Sequence, residues 1–258
     1  MKHYPLATEL VRRELKARYL GTFSGGLWAL FQPMLQLAIY GYVFTTIFKA
    51  RLPEAEFGNL GFIAFLAVGL WPWTAFAEGL MRSSTTIIEN AGLLGKVALP
   101  RALLVGTTVF AGMALHLCGF AAVLVVMMMA GWIEPRVTMI WVLPLFLLMF
   151  GFTLGMAWLF SAVSVFVRDF THVLGQIVML VFFLTPVLYP RSLIPEGLQP
   201  LADGNPLALF VGLFRQSVLG IGHYDVWNVL IALMVTLAVM LVGWTVFRRL
   251  SPHFEDFL

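Results

Sequence analysis

The sequence predicts an all-α polytopic membrane protein with six transmembrane helices. Three observations carry that prediction. Hydrophobic residues make up 60% of the 258-residue chain and charged ones 11%, against about 25% charged in ordinary globular proteins. The mean hydropathy is +0.92. The apolar residues also gather into six long runs. Each is long enough, at about 1.5 Å per helical residue, to approach or exceed a hydrocarbon core ~30 Å thick. All are much longer than the ~10-residue strands of a membrane barrel.

Residues 5–20 precede the first run and predict an interfacial helix. Val11, Leu15 and Tyr19 recur at four-residue steps, while Glu9, Arg12, Arg13 and Lys16 crowd a neighbouring face. The basic side chains Arg12, Arg13, Lys16 and Arg18 suit anionic lipid headgroups, at about 1 kcal/mol each. A soluble partner is the other candidate for that face.

The first span, residues 25–48, opens on the small-residue pair Gly21 and Gly25. Every fourth residue from Trp28 gives Trp28, Gln32, Gln36, Tyr40 and Phe44, which stay near one helical face. Two readings stand for this stripe. One is hydrogen bonding between packed helices, worth about 0.6 kcal/mol per contact. The other is the wall of a passage for something polar with flat apolar faces, such as a sugar chain.

Span two covers residues 60–81. Its Trp71-Pro72-Trp73 predicts a kink, because proline removes a backbone donor. Glu78 and Arg82 are four apart in the favourable order for a helical ion pair. The polar stretch 82–101 carries a helix-like piece, a glycine-rich break from Asn90 to Gly95, then Lys96 and Pro100. Span three, 102–130, carries His116 near its middle. An ionisable residue there is a functional candidate, or a neutral histidine packed on a neighbouring helix. Span four, 138–167, contains Gly151 and Gly155, a spacing that admits a close helix. Arg168 and Asp169 form a charged turn before span five, 171–189. Residues 190–225 then carry Pro190, Pro195, Pro200 and Pro206 around an apolar piece too short to span. Irregular backbone at membrane depth survives only when buried in protein or lining a wet cavity, so this segment predicts a re-entrant gate. Span six is 226–247, closed by Arg248 and Arg249.

With six spans, eleven of the 16 Lys and Arg residues fall on the side that holds both termini. The basic side is cytoplasmic by the positive-inside rule, and residues 190–225 face outward. A net charge of +3 predicts no nucleic-acid partner, and the single Cys118 excludes an internal disulfide. The N-terminus lacks a signal-peptide pattern. Gly92 to Lys96 is no phosphate loop, since Asn90 stands where the first glycine belongs and Val97 where Ser or Thr belongs. Glu134, Glu196, Asp203 and Asp225 are the acids available to a membrane-embedded enzyme, and their spacing shows no pairing. No cofactor or metal site is expected on this chain.

Four stretches together resemble the permease subunits of bacterial polysaccharide-export ABC transporters, the O-antigen, capsule and teichoic-acid class. They are ELVRRELKARYLGTFSGGLWALFQPMLQLAIYGYVFTTIF, SSTTIIENAGLLGKVALPR, VFVRDF leading into QIVMLVFFLTPVLYPRSLIP, and Asn205-Pro206-Leu207 followed by Arg215. The resemblance covers nearly the whole chain. It implies a homodimer in the bacterial inner membrane, with two soluble nucleotide-binding subunits on the cytoplasmic face that hold ATP and Mg. The cargo it implies is undecaprenyl-diphosphate-linked polysaccharide; a small-molecule or drug exporter of similar topology is the alternative. It assigns Arg82, Asn90, Lys96, Pro100, Arg168 and Asp169 to ATPase coupling. Asn205, Pro206 and Arg215 belong to the outer gate, and Arg12, Arg13, Lys16 and Arg18 to the headgroup interface. Spans one and five become channel walls, so Trp28, Gln32, Gln36 and Tyr40 face sugar, complemented by Gln176, Phe183 and Tyr189.

Overall fold

The computed structural model describes residues 4–19, 28–58, 60–94, 99–221 and 225–257; for residues 4, 5, 18, 19, 28–30, 55 and 56 it describes the backbone alone. The described residues are helices and their connections, without a strand. In chain order the helices are α1 (Tyr4–Tyr19), α2 (Trp28–Tyr42, prolonged by a π-helical turn Val43–Ile47), the short α3 (Glu54–Phe57), α4 (Phe62–Glu89) and the short α5 (Ala91–Leu94). There follow α6 (Arg101–Met129), α7 (Val142–Phe166, preceded by a 3-10 turn Val137–Trp141), α8 (Phe170–Leu184), α9 (Gln199–Asp203), α10 (Pro206–Leu219) and α11 (Val226–Leu250). A final 3-10 segment spans Ser251–Asp256.

Four stretches are long and apolar enough to cross a bilayer: Phe62–Glu89, Arg101–Met129, Val137–Phe166 and Val226–Asp256. α8 has 15 residues, or roughly 22 Å of helix. α4 is the spine of the bundle. Its most apolar window is 78% buried within the chain, against 17% for the last helix, so α11 turns most of its surface outward. α4 packs against α2, α6, α7, α8 and α10.

Two sequence expectations are corrected here. α4 does not end at residue 81 but runs through Pro72 to Glu89. No glycine or further proline interrupts residues 82–89, so the helix persists beyond the apolar run. α8 stops at Leu184 rather than 189, where the buried turn Thr185–Leu188 begins.

Gly151 and Gly155 do admit a close helix. A side chain added at Gly155 would meet the α11 backbone at Val239 and Met240, 2.7 Å away, and one added at Gly243 would strike the Gly155 carbonyl. The contact of α7 with α11 is therefore nearly backbone on backbone, the geometry small residues permit in membranes. α10 starts with Pro206 at its first turn and Asn205 as cap, the Asn205 side chain accepting the Leu207 N–H at 3.0 Å. Asp225 caps α11 in the same way, accepting the Trp227 N–H at 2.9 Å.

Tertiary contacts sort the connections to two ends. At one, Arg13 of α1 reaches Asn90, Arg101 binds the Ser251 carbonyl and Glu255, and the Phe166 ring meets Phe254 and Phe257. This basic end gathers α1, the α4–α5 junction, the α7–α8 turn and the C-terminal segment. At the opposite end Thr138 donates to the Ser217 carbonyl at 2.7 Å, bringing the α6–α7 connection against α10.

Candidate functional site

The stripe on α2 meets α8 and α4 through aromatic rings. Tyr40 stacks on Phe182 of α8 with centroids 6.3 Å apart, and Phe182 also meets Trp73 of α4 at 5.4 Å. Phe183, half exposed, packs edge-on against Phe182, and the Tyr189 hydroxyl donates to the Phe183 carbonyl at 2.5 Å. Tyr40 thus shares one cluster with Phe183 and Tyr189, which lie more than 140 positions later in the sequence. Gln36 lies one turn before Tyr40, its amide 3.5 Å from the hydroxyl, while Gln32 and Gln176 are exposed. The side chains of Trp28 and Arg18, and Lys96 entirely, lie outside the described residues.

Below the rings, α4 shows a polar face that the sequence reading missed. Thr74, Glu78, Arg82, Thr85 and Glu89 recur at steps of four or three, so they lie along one side of the helix. They are half-buried or exposed, as are the apolar Ala77, Met81 and Ile88 beside them, on a helix that is otherwise largely buried. The signal was visible in the spacing. The apolar run ends at residue 81, inside the stripe, so hydropathy alone cuts it in two.

Glu78 and Arg82 each also reach a group on another helix. The His116 Nε2 lies 2.8 Å from the Glu78 carboxylate, joining α6 to α4, with His116 5% exposed and Glu78 47%. The Trp71 indole donates to the His116 carbonyl at 2.9 Å, which fixes that turn of α6. Arg82 donates to Glu14 of α1 at 2.5 Å, Thr85 donates to Glu89 at 2.7 Å, and Arg13 donates to Asn90 at 3.1 Å. Arg82, Asn90 and Arg13 line one polar cavity of about 190 Å³ with Glu14 and Glu89. The interface helix is therefore fastened by its charged side to the end of α4. Lys16 and Arg12 are exposed on α1, Arg168 and Asp169 are exposed at the α7–α8 turn, and Pro100 precedes the first residue of α6.

The three residues assigned to the gate converge on the turn after α8. Asn205 donates to the Thr185 hydroxyl at 2.8 Å, and Arg215 donates to the carbonyls of Pro186 and Val187, each at 2.6 Å. Pro206 supplies the first turn of the helix between them. Arg215 is buried; its Nε also donates to the Phe65 carbonyl at 3.3 Å, and the guanidinium lies 3.5 Å over the Phe65 ring. Gly69 makes room for it, since a Cβ there would lie 2.5 Å from the guanidinium. Further out, Asp203 takes a two-pronged bond from Arg191 at 2.6 Å, and that hydrogen bond holds its carboxyl below the ordinary range.

The ABC-2 type transporter membrane family matches residues 6–219. An O-antigen export system permease of Klebsiella pneumoniae is 28% identical over 99% of this chain and 95% of its own length. Its counterpart in Myxococcus xanthus is 34% identical over 74% of this chain and 70% of its own. A capsule polysaccharide export inner-membrane protein of Neisseria meningitidis serogroup B is 23% identical over 95% and 91%. With a family match across most of its length, and relatives aligned nearly end to end, the chain belongs to the ABC-2 type transporter membrane family.

Proposed function

We propose that this chain is the channel-forming permease subunit of an ATP-driven exporter that moves undecaprenyl-diphosphate-linked polysaccharide, of O-antigen or capsule type, out of the cytoplasm. The observation that carries this reading is the near-full-length likeness to O-antigen and capsule export permeases. Rings and amides on α2 and α8 support it, because rings stack on the apolar faces of sugars and amides bind hydroxyls.

Two copies form the path, crossing the inner membrane six times each with both termini in the cytoplasm. Two soluble subunits dock at the basic end, where they bind ATP and Mg and hydrolyse ATP. Arg82, Asn90, Lys96, Pro100, Arg168 and Asp169 receive that motion. Arg12, Arg13, Lys16 and Arg18 lie at the headgroups. Asn205, Pro206 and Arg215 hold the outer gate.

Affinity purification from the native membrane, with an ATPase assay, tests this. The expected result is an equal amount of a soluble nucleotide-binding subunit and hydrolysis in the complex. A chain that comes out alone and inert under gentle conditions would overturn it. Deletion is expected to accumulate lipid-linked glycan inside the cell; unchanged glycan would point to a small-molecule exporter instead.

A further inference from the structure

The described interior of this membrane protein holds one acid–base contact that the export mechanism above does not use. Glu78 sits eleven residues before the end of α4, roughly 16 Å along the helix, and half of it is exposed. His116, its partner, lies near the middle of α6. Measured from the end of the apolar run at residue 81, Glu78 lies about one turn inside, and acids within spans face the bundle interior or water and mark substrate paths. Glu78 also continues a polar line, from Thr74 through Arg82 and Thr85 to Glu89. α8 flanks that face, with Gly175 near Met81, and Tyr40 of α2 joins it through Phe182, which meets Trp73 one residue before Thr74.

We infer that this face of α4 lines the inner half of the passage, with Glu78 as a sugar-contacting residue that favours uncharged, hydroxyl-rich glycan over anionic glycan. The inference rests on the export reading. His116 and the Trp71 bond behind it hold the carboxylate in place, so His116 is a positioning residue. A carboxylate accepts hydrogen bonds from sugar hydroxyls and repels acidic sugars. Arg82 does not reverse that preference, because Glu14 neutralises it. Among the described residues of the stripe and its cavity, the carboxylates of Glu14, Glu78 and Glu89 therefore exceed the guanidinium groups of Arg13 and Arg82.

The test compares dissociation constants of maltoheptaose and of an oligosialic acid of similar length, for the whole transporter in nanodiscs. The wild-type complex is expected to prefer maltoheptaose. Glu78→Gln, close in shape, is expected to narrow the preference about tenfold, the size of one charge-assisted hydrogen bond. His116→Gln, which still offers Glu78 a donor, is expected to keep more of the preference than His116→Leu. Equal discrimination by wild type and Glu78→Gln, with both assembled, overturns the inference and leaves the export reading standing. A wild-type complex that recruits no ATPase and binds neither oligosaccharide overturns both.

Discussion

Arg215 shows how a buried cation is accommodated in this chain. Its charge is answered by three carbonyls and the face of Phe65, and the space it occupies exists because residue 69 is glycine. Gly69→Ala should therefore displace the guanidinium and cost about 2–4 kcal/mol, the range for disturbing a buried charge and its hydrogen bonds. In an Arg215→Met background the same change should cost less than about 1 kcal/mol, because the two residues compete for one volume. Thermal melts of the four variants in detergent check this, and additive losses would contradict it. Of this site, the sequence showed only that Arg215 follows an Asn-Pro-Leu start on a short apolar helix. Its partners lie 28, 29 and 150 positions away, and local periodicity carries no information across such distances.

Among the helices, α7 and α11 come nearly into backbone contact, and the reason is the pair Gly155 and Gly243. The sequence reading saw half of this, since Gly151 and Gly155 have the spacing of a close crossing while the partner helix stays unspecified. Gly243→Leu should force the helices apart and lower the melting temperature sharply, whereas Leu241→Ala, on the exposed side of α11, should do little. Fluorescence-detected size-exclusion after a heating series separates the two cases. α4 teaches the complementary lesson. Hydropathy marks where a helix is apolar, and hydrogen bonding marks where it is helical; the two differ by eight residues here. Those residues complete the stripe that Glu78 belongs to.

For the transporter as a whole, two expectations separate coupling from passage. Arg168→Glu reverses a charge on the exposed α7–α8 turn at the basic end. It should leave membrane insertion intact and lower ATP hydrolysis in the complex several-fold, as measured on purified material. Tyr40→Ala removes a ring stacked on Phe182 and should reduce glycan export while the complex still assembles, as read from surface polysaccharide and co-purification. Normal export in Tyr40→Ala would return the α2 stripe to a packing role. The ring cluster of Tyr40, Phe182 and Trp73 unites three helices, so assembly must be measured beside export.

Without the fold, the chain already specifies a helical membrane protein, the register of the α2 stripe, the small-residue crossing on α7 and the irregular segment before the last helix. These are properties of composition and short-range period, which the bilayer reads residue by residue. Partner choice belongs to the folded bundle. Glu78 bonds His116, Arg82 bonds Glu14, Asn205 and Arg215 clamp the turn after α8, and Arg101 captures the C-terminal segment. Each joins elements distant in sequence, and a polar group withdrawn from water takes whichever partner the packed helices bring within hydrogen-bond reach.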